Sequence, residues 1–215
     1  MNIWLCGIPG SKWSGVDIQL RHCCNCDKSD ETPERVFFHK LNNPRHNFNG
    51  HRGSYWGPGM GCGESWNDMS QLSPKDIQSE IDSVFSGEGN KTIKAHSLAR
   101  HQNLEYVWDN FKGDYMVLFY RNPDRSLEWW DRIMDFDSDR CYPDYATMYE
   151  NIQEMPKYLR EETTRILEFA FNKELSFKIY DPVYSFQDVP GWNYELAKDQ
   201  TKGHDDVYVC VAKID

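Results

Sequence analysis

The sequence predicts an α/β fold of three layers, with a mostly parallel central sheet flanked by helices. Two stretches carry that expectation. Ile3-Trp4-Leu5-Cys6 is an apolar run too short to cross a membrane and long enough for a buried strand, and Gly7, Pro9 and Gly10 break it before a helical pattern begins. Tyr115-Met116-Val117-Leu118-Phe119-Tyr120 is the strongest strand of the chain. Its uninterrupted apolar character is that of a strand buried on both faces between helices. A strand–helix order runs through the residues between them.

The turn after the first strand reads Gly7-Ile8-Pro9-Gly10-Ser11-Lys12-Trp13-Ser14-Gly15, and Ser11, Lys12 and Ser14 lead into Val16, Ile18 and Leu20. A strand, a glycine turn and a helix opened by hydroxyl side chains make an anion site. Such a turn exposes backbone N–H groups, the helix dipole adds positive potential, and Lys12 adds a full charge. The spacing is not that of the nucleoside-triphosphate loop, because Lys12 is followed by Trp13 instead of Ser or Thr. No G-x-G-x-x-G dinucleotide fingerprint fits either. An ordinary glycine turn between strand and helix is the plainer reading of the same residues.

The 215 residues suit one domain, residues 1–215, with one irregular insertion at about residues 42–66. A hydrophobic content of 39% with 14% aromatics suffices for a substantial core. The mean hydropathy of −0.77 and the lack of a long apolar run argue against a transmembrane segment. No basic, apolar and small-residue leader is read at the N-terminus, so a cytoplasmic protein is expected. The net charge of −10 disfavours broad attraction to nucleic acid or anionic membranes, and neither is expected as a partner. An anionic small ligand therefore needs a local concentration of cations, which singles out Lys12, Lys94 and Arg121.

Seven cysteines without a leader point to free thiols in a reducing compartment. Cys23 and Cys26 form a C-x-x-C with Cys24 inside it, and His46 and His51 follow as an H-x4-H pair. A zinc clip is the minor reading. The 19 residues between Cys26 and His46 exceed the usual finger loop of ~12–15, no second C-x-x-C exists, and no metal is expected.

Further along, the polar stretch from Asp27 to Pro33 is a surface loop, and Val36-Phe37-Phe38 is a short strand. Asn42 to Gly63 changes texture to Asn, His, Gly and aromatics, and is expected to fold over the site and shape an acceptor pocket. A structural Ω-loop fits it equally. Its aromatics Phe48, Tyr55 and Trp56, with Trp66 beyond, argue for an ordered segment. Ser73 caps a helix with Pro74 at its first position and Ile77, Ile81, Val84 and Phe85 at helical spacing, ended by Gly87 and Gly89. Thr92 to His96 is a strand running into a loop, and Leu104 to Phe111 a short helix. The strand from Tyr115 to Tyr120 then delivers Arg121-Asn122-Pro123-Asp124 at its C-terminal end, where open α/β sheets place ligands. Helices follow at Leu127–Met134, at Tyr145–Gln153 and from Pro156, the last with Leu159, Thr163, Ile166, Leu167 and Ala170 along one face. Phe177–Tyr180 and Val207–Val211 are strands.

Three separated pieces resemble the sulfotransferase family. Ile8-Pro9-Gly10-Ser11-Lys12-Trp13-Ser14-Gly15 looks like its 5′-phosphosulfate loop, Thr92-Ile93-Lys94-Ala95-His96 is similar to its K-T-H segment, and Tyr120-Arg121-Asn122-Pro123-Asp124-Arg125-Ser126 resembles its strand-end R-N-P-x-D. The order of the three matches the family as well. Gly10 stands where the family commonly has a basic residue, Lys12 stands two places on, and Ser126 lies five residues after Arg121 where the family Ser lies eight after. Lys202-Gly203 is a fainter likeness to its R-K-G segment.

The resemblance implies a P-loop-like fold and transfer of a sulfuryl group from 3′-phosphoadenosine 5′-phosphosulfate (PAPS) to a hydroxyl or amine, leaving adenosine 3′,5′-bisphosphate (PAP). The acceptor would be a small molecule or glycan. Gly10, Ser11, Lys12, Trp13, Ser14 and Gly15 would cradle the 5′-phosphosulfate, with Trp13 near the adenine, and Arg121 and Ser126 would hold the 3′-phosphate. Sulfuryl transfer is an in-line displacement in which positioning and electrostatics dominate. Lys12 and Lys94 would stabilise charge growing on the leaving oxygen, and His96 would take the acceptor's proton as an imidazole titrating near working pH. Glu64 and His51 are the alternative bases. A nucleotide-dependent kinase and a zinc-stabilised binding protein are the alternative functions.

Overall fold

A computed structural model describes residues 1–38, 49–53, 55–57, 60–133, 153–200 and 204–215. Those residues contain the strands β1 (Asn2–Cys6), β2 (Val36–Phe38), β3 (Asn49–Arg52), β4 (Tyr55–Trp56), β5 (Lys91–Ala95), β6 (Tyr115–Tyr120), β7 (Lys178–Tyr180) and β8 (His204–Lys213). Among the described residues the α-helices are α1 (Trp13–Cys23), α2 (Pro74–Val84), α3 (Asn103–Asn110), α4 (Pro123–Ile133), α5 (Met155–Asn172) and α6 (Tyr194–Ala197).

Six strands form one sheet in the order β4-β5-β1-β6-β8-β7, and β2 pairs with β3 separately. β4, β5, β1 and β6 run parallel, whereas β8 runs antiparallel to β6 and to β7, so that β8 alone is reversed in this sheet. The sheet is therefore mixed, with a parallel half as expected and an antiparallel half at the C-terminal side. β1 lies at its centre, and Ile3, Trp4, Leu5 and Cys6 are fully buried, as a strand covered by helices on both faces requires. Leu5 is level with Lys94 on β5 and with Val117 on β6. The turns that leave these three adjacent strands consequently emerge on one edge.

Two polar anchors set the frame. The Asp114 carboxylate, just before β6, accepts from the Asn2 backbone N–H and side-chain amide at 2.8 Å each and from the Trp4 indole at 3.1 Å. On the opposite side of β1, Arg21 of α1 donates to Thr92 of β5 at 2.7 Å and to Asp30 at 2.6 Å, with all three residues buried. That pairing fixes the C-terminal half of α1 against the sheet.

Local signals place several elements where the sequence predicts them. Ser73 Oγ accepts the Asp76 N–H at 3.1 Å and caps α2, whose Ile77 and Ile81 are buried. α4 starts at Pro123, four residues ahead of the predicted Leu127, because Asn122 Oδ1 accepts the Asp124 N–H at 2.9 Å and proline fills the first helical position. On α5, Leu159, Thr163, Ile166 and Ala170 are buried, but Leu167 is exposed, one position out of phase with the core stripe. The predicted helix Tyr145–Gln153 lies almost wholly outside the described residues.

Within the predicted insertion, Tyr55 and Trp56 form the edge strand β4, parallel to β5. The core claims these aromatics. Trp56 stacks on Trp66 with ring centroids 4.8 Å apart and planes 10° from parallel, and the Arg35 guanidinium lies 5.3 Å from the Trp56 ring. Phe48 lies outside the described residues.

Candidate functional site

The turn between β1 and α1 is shaped by two glycines. A Cβ on Gly7 would come within 2.8 Å of Ser11 Oγ and 3.0 Å of Phe119 Cβ. Gly10 has φ +80°, and a Cβ there would stand 2.8 Å from the Ser126 carbonyl oxygen. The chain thus passes tightly between β6 and α4. Lys12 then adopts a left-handed conformation, φ 62° and ψ 11°, as the N-cap of α1. No side chain caps this helix, and its first turn carries no acidic residue, so the positive end of its dipole is not neutralised from within.

Lys12 and Arg121 meet at one carboxylate. Lys12 Nζ lies 2.8 Å from Asp206 Oδ1, and Arg121 Nε and Nη2 lie 2.7 and 2.6 Å from Asp206 Oδ2. Arg121 Nη1 also donates to the Gly10 carbonyl at 2.7 Å, which braces the turn from the end of β6. Partial burial disfavours the Asp206 charge, but the hydrogen bonds and charges of Lys12 and Arg121 outweigh it and hold this carboxyl at about 2. The Ser11 and Ser126 hydroxyls are fully buried beside the same turn and make no hydrogen bond among the described residues. Ser14 is half-buried and Gly15 exposed at the start of α1.

A second group lies at the end of β5. Lys94 Nζ is 3.1 Å from Asp17 Oδ2 on α1 and 4.7 Å from the Tyr55 ring centroid. Burial lowers the Lys94 pKa, and the Asp17 charge opposes that shift only in part. His96 starts the turn after β5, with Nε2 2.7 Å from Tyr55 Oη and its ring 4.5 Å from that of Trp13. Lys94 and His96 therefore point to the same side of the sheet and share Tyr55 and Trp13 as neighbours.

Two sequence expectations need correction. The His96 imidazole does not titrate near working pH: burial, with the nearby Arg100 and Lys94 charges, pushes it down to about 3. It is held neutral. Trp13 is not placed to pack on an adenine, because it is buried among Tyr55, His96 and Phe119.

The remaining candidates fall elsewhere. Glu64 is exposed and accepts the Gly61 N–H at 3.0 Å, and His51 pairs with Phe37 in the separate two-stranded sheet. His46 and Lys202-Gly203 lie outside the described residues. Cys23 and Cys24 are buried, and burial pushes the Cys26 thiol up to about 12. Among the described residues no three His, Cys, Asp or Glu side chains gather as metal ligands. No described helix is long and apolar enough to cross a membrane.

Nothing in the sequence singles out Asp17 or Asp206, and Tyr55 is legible only as an aromatic of the insertion. Asp206 belongs to the acidic pair Asp205-Asp206 just ahead of the predicted strand Val207–Val211, but nothing in that pattern ties it to a turn 194 residues earlier. Comparison with family models, with curated proteins and with solved structures found no match to this chain.

Proposed function

We propose that this protein is a PAPS-dependent sulfotransferase acting on a hydroxyl or amine of a small-molecule or glycan acceptor. One observation carries the reading. The glycine turn after β1, Lys94 and His96 at the end of β5, and Arg121 at the end of β6 gather at one edge of three adjacent parallel strands. Parallel sheets bind ligands at that edge, and the three sequence pieces that resemble the family are the ones that meet there.

In this reading the N-terminus of α1 and Lys12 take the 5′-phosphosulfate, and Arg121 takes the 3′-phosphate. Lys94 contributes positive potential from within the sheet. His96 accepts the acceptor's proton as a neutral imidazole oriented by Tyr55. Its depressed pKa secures the proton-accepting form but lowers its basicity, so electrostatic positioning of the sulfuryl group dominates over base strength. The donor reading is favoured over a magnesium–ATP kinase because the residue after Lys12 is a buried Trp, which offers no hydroxyl to a metal ion.

Thermal unfolding with ligands tests this. PAP without magnesium is expected to raise the melting temperature more than AMP does. Stabilisation by ATP–magnesium and not by PAP would transfer the reading to the kinase class. Transfer of labelled sulfate from PAPS across a panel of hydroxyl and amine compounds is the direct assay.

A further inference from the structure

We propose that Asp206 is a built-in counter-ion of the anion site, so that a ligand's phosphate binds by displacing its carboxylate from Lys12 and Arg121. The inference deepens the donor-site reading above and rests on it. Both cations assigned to that site are already satisfied by a single side chain, at 2.6–2.8 Å. Arg121 is nearly buried and donates its Nη1 to the Gly10 carbonyl, so an incoming anion reaches it chiefly through the position that Asp206 holds.

The two partners differ in how freely they can move. Asp206 is 37% exposed and Lys12 32%, whereas Arg121 is only 8% exposed. The carboxylate and the ammonium thus sit on the rim with water beside them, and the guanidinium is fixed beneath. Releasing Asp206 to solvent costs little desolvation, while the Arg121 position is preserved for the ligand. The exchange is also matched in chemistry. A carboxylate that bridges an ammonium and a guanidinium presents two oxygens where a phosphate presents three, and the phosphate gains the uncapped N-terminus of α1 in addition. Among the described residues, the other charged or titratable groups around Asp206 are His204 and Asp205 on β8 and Arg125 on α4, and the acidic neighbour would further favour departure of a second negative charge.

The alternative role for Asp206 is a brace that holds Lys12 and Arg121 in place for the ligand, and it predicts the opposite sign. Titration calorimetry with PAP on the full chain, and with inorganic pyrophosphate as a second probe, separates them. Asp206→Asn and Asp206→Ser are expected to bind PAP on the order of tenfold more tightly than wild type, and Asp206→Glu to stay near wild type. Circular dichroism checks folding first, and either neutral variant suffices. Equal or weaker PAP binding by a folded neutral variant overturns the proposal and leaves the donor reading intact. Loss of folded protein in both neutral variants also overturns it, since Asp206 is then a brace. If no chain binds PAP but pyrophosphate binds the neutral variants more tightly, the counter-ion stands and the donor reading falls. If wild type and variants bind neither probe, both fall.

Discussion

Lys94 and Asp17 form an ion pair, 3.1 Å from Nζ to Oδ2, in which neither side chain is more than 2% exposed. It joins β5 to α1 beneath the turn that would receive a ligand. A pair removed from water in this way gives little net stability, but losing one member leaves the other charge buried without its ion-pair partner.

Asp17→Asn is therefore expected to cost roughly 3–5 kcal/mol, read by urea unfolding. Replacing both members by apolar side chains, Asp17→Leu with Lys94→Met, should cost far less than the single change. A single change that costs under ~1 kcal/mol would mean that Lys94 reaches water in solution.

Gly10→Ala carries two penalties, a positive φ and a Cβ 2.8 Å from the Ser126 carbonyl. Gly113 has φ +87° with no atom within 4 Å of an added Cβ, so Gly113→Ala carries only the first. Each should destabilise, by roughly 1–3 kcal/mol for the backbone strain, with Gly10→Ala the worse of the two. Equal losses would show that the turn yields to the clash.

His96 links stability to pH. Its folded pKa, about 3, lies below the ordinary value of 6.5, so the unfolded chain takes up the proton first. The contribution is complete above pH 6.5 and is lost as pH falls toward 3, with a limiting slope of about 1.4 kcal/mol per pH unit. The difference in unfolding free energy between wild type and His96→Gln should carry that slope across the window. A flat difference would mean that His96 titrates as an exposed imidazole. In the transfer assay, a folded His96→Ala should keep PAP affinity and lose roughly 10²–10⁴-fold in turnover.

Arg121→Ala should weaken PAP binding by roughly 1.5–3 kcal/mol, the scale of a hydrogen bond to a charged group. Circular dichroism must show a folded variant, because the same side chain braces the Gly10 carbonyl at 2.7 Å. Unchanged affinity in a folded variant removes Arg121 from the site.

The sequence by itself determined the elements whose signals are local. β1 and β6 are continuous apolar runs that only a doubly covered strand explains, α2 announces itself by Ser73 and Pro74, and the glycine turn follows from the residues that break β1. Tertiary structure decided what no local pattern encodes. Tyr55-Trp56 is too short to read as a strand, and it becomes one because β5 offers an edge and Trp66 a stacking partner. Val207–Val211 is legible as a strand, but its antiparallel run along β6 is not. The ionic partners are the clearest case. Lys12 meets Asp206 across 194 residues and Lys94 meets Asp17 across 77. Charge acts through distance in space and exposure to water, and both are set only when the sheet has brought the ends of β5, β1, β6 and β8 together.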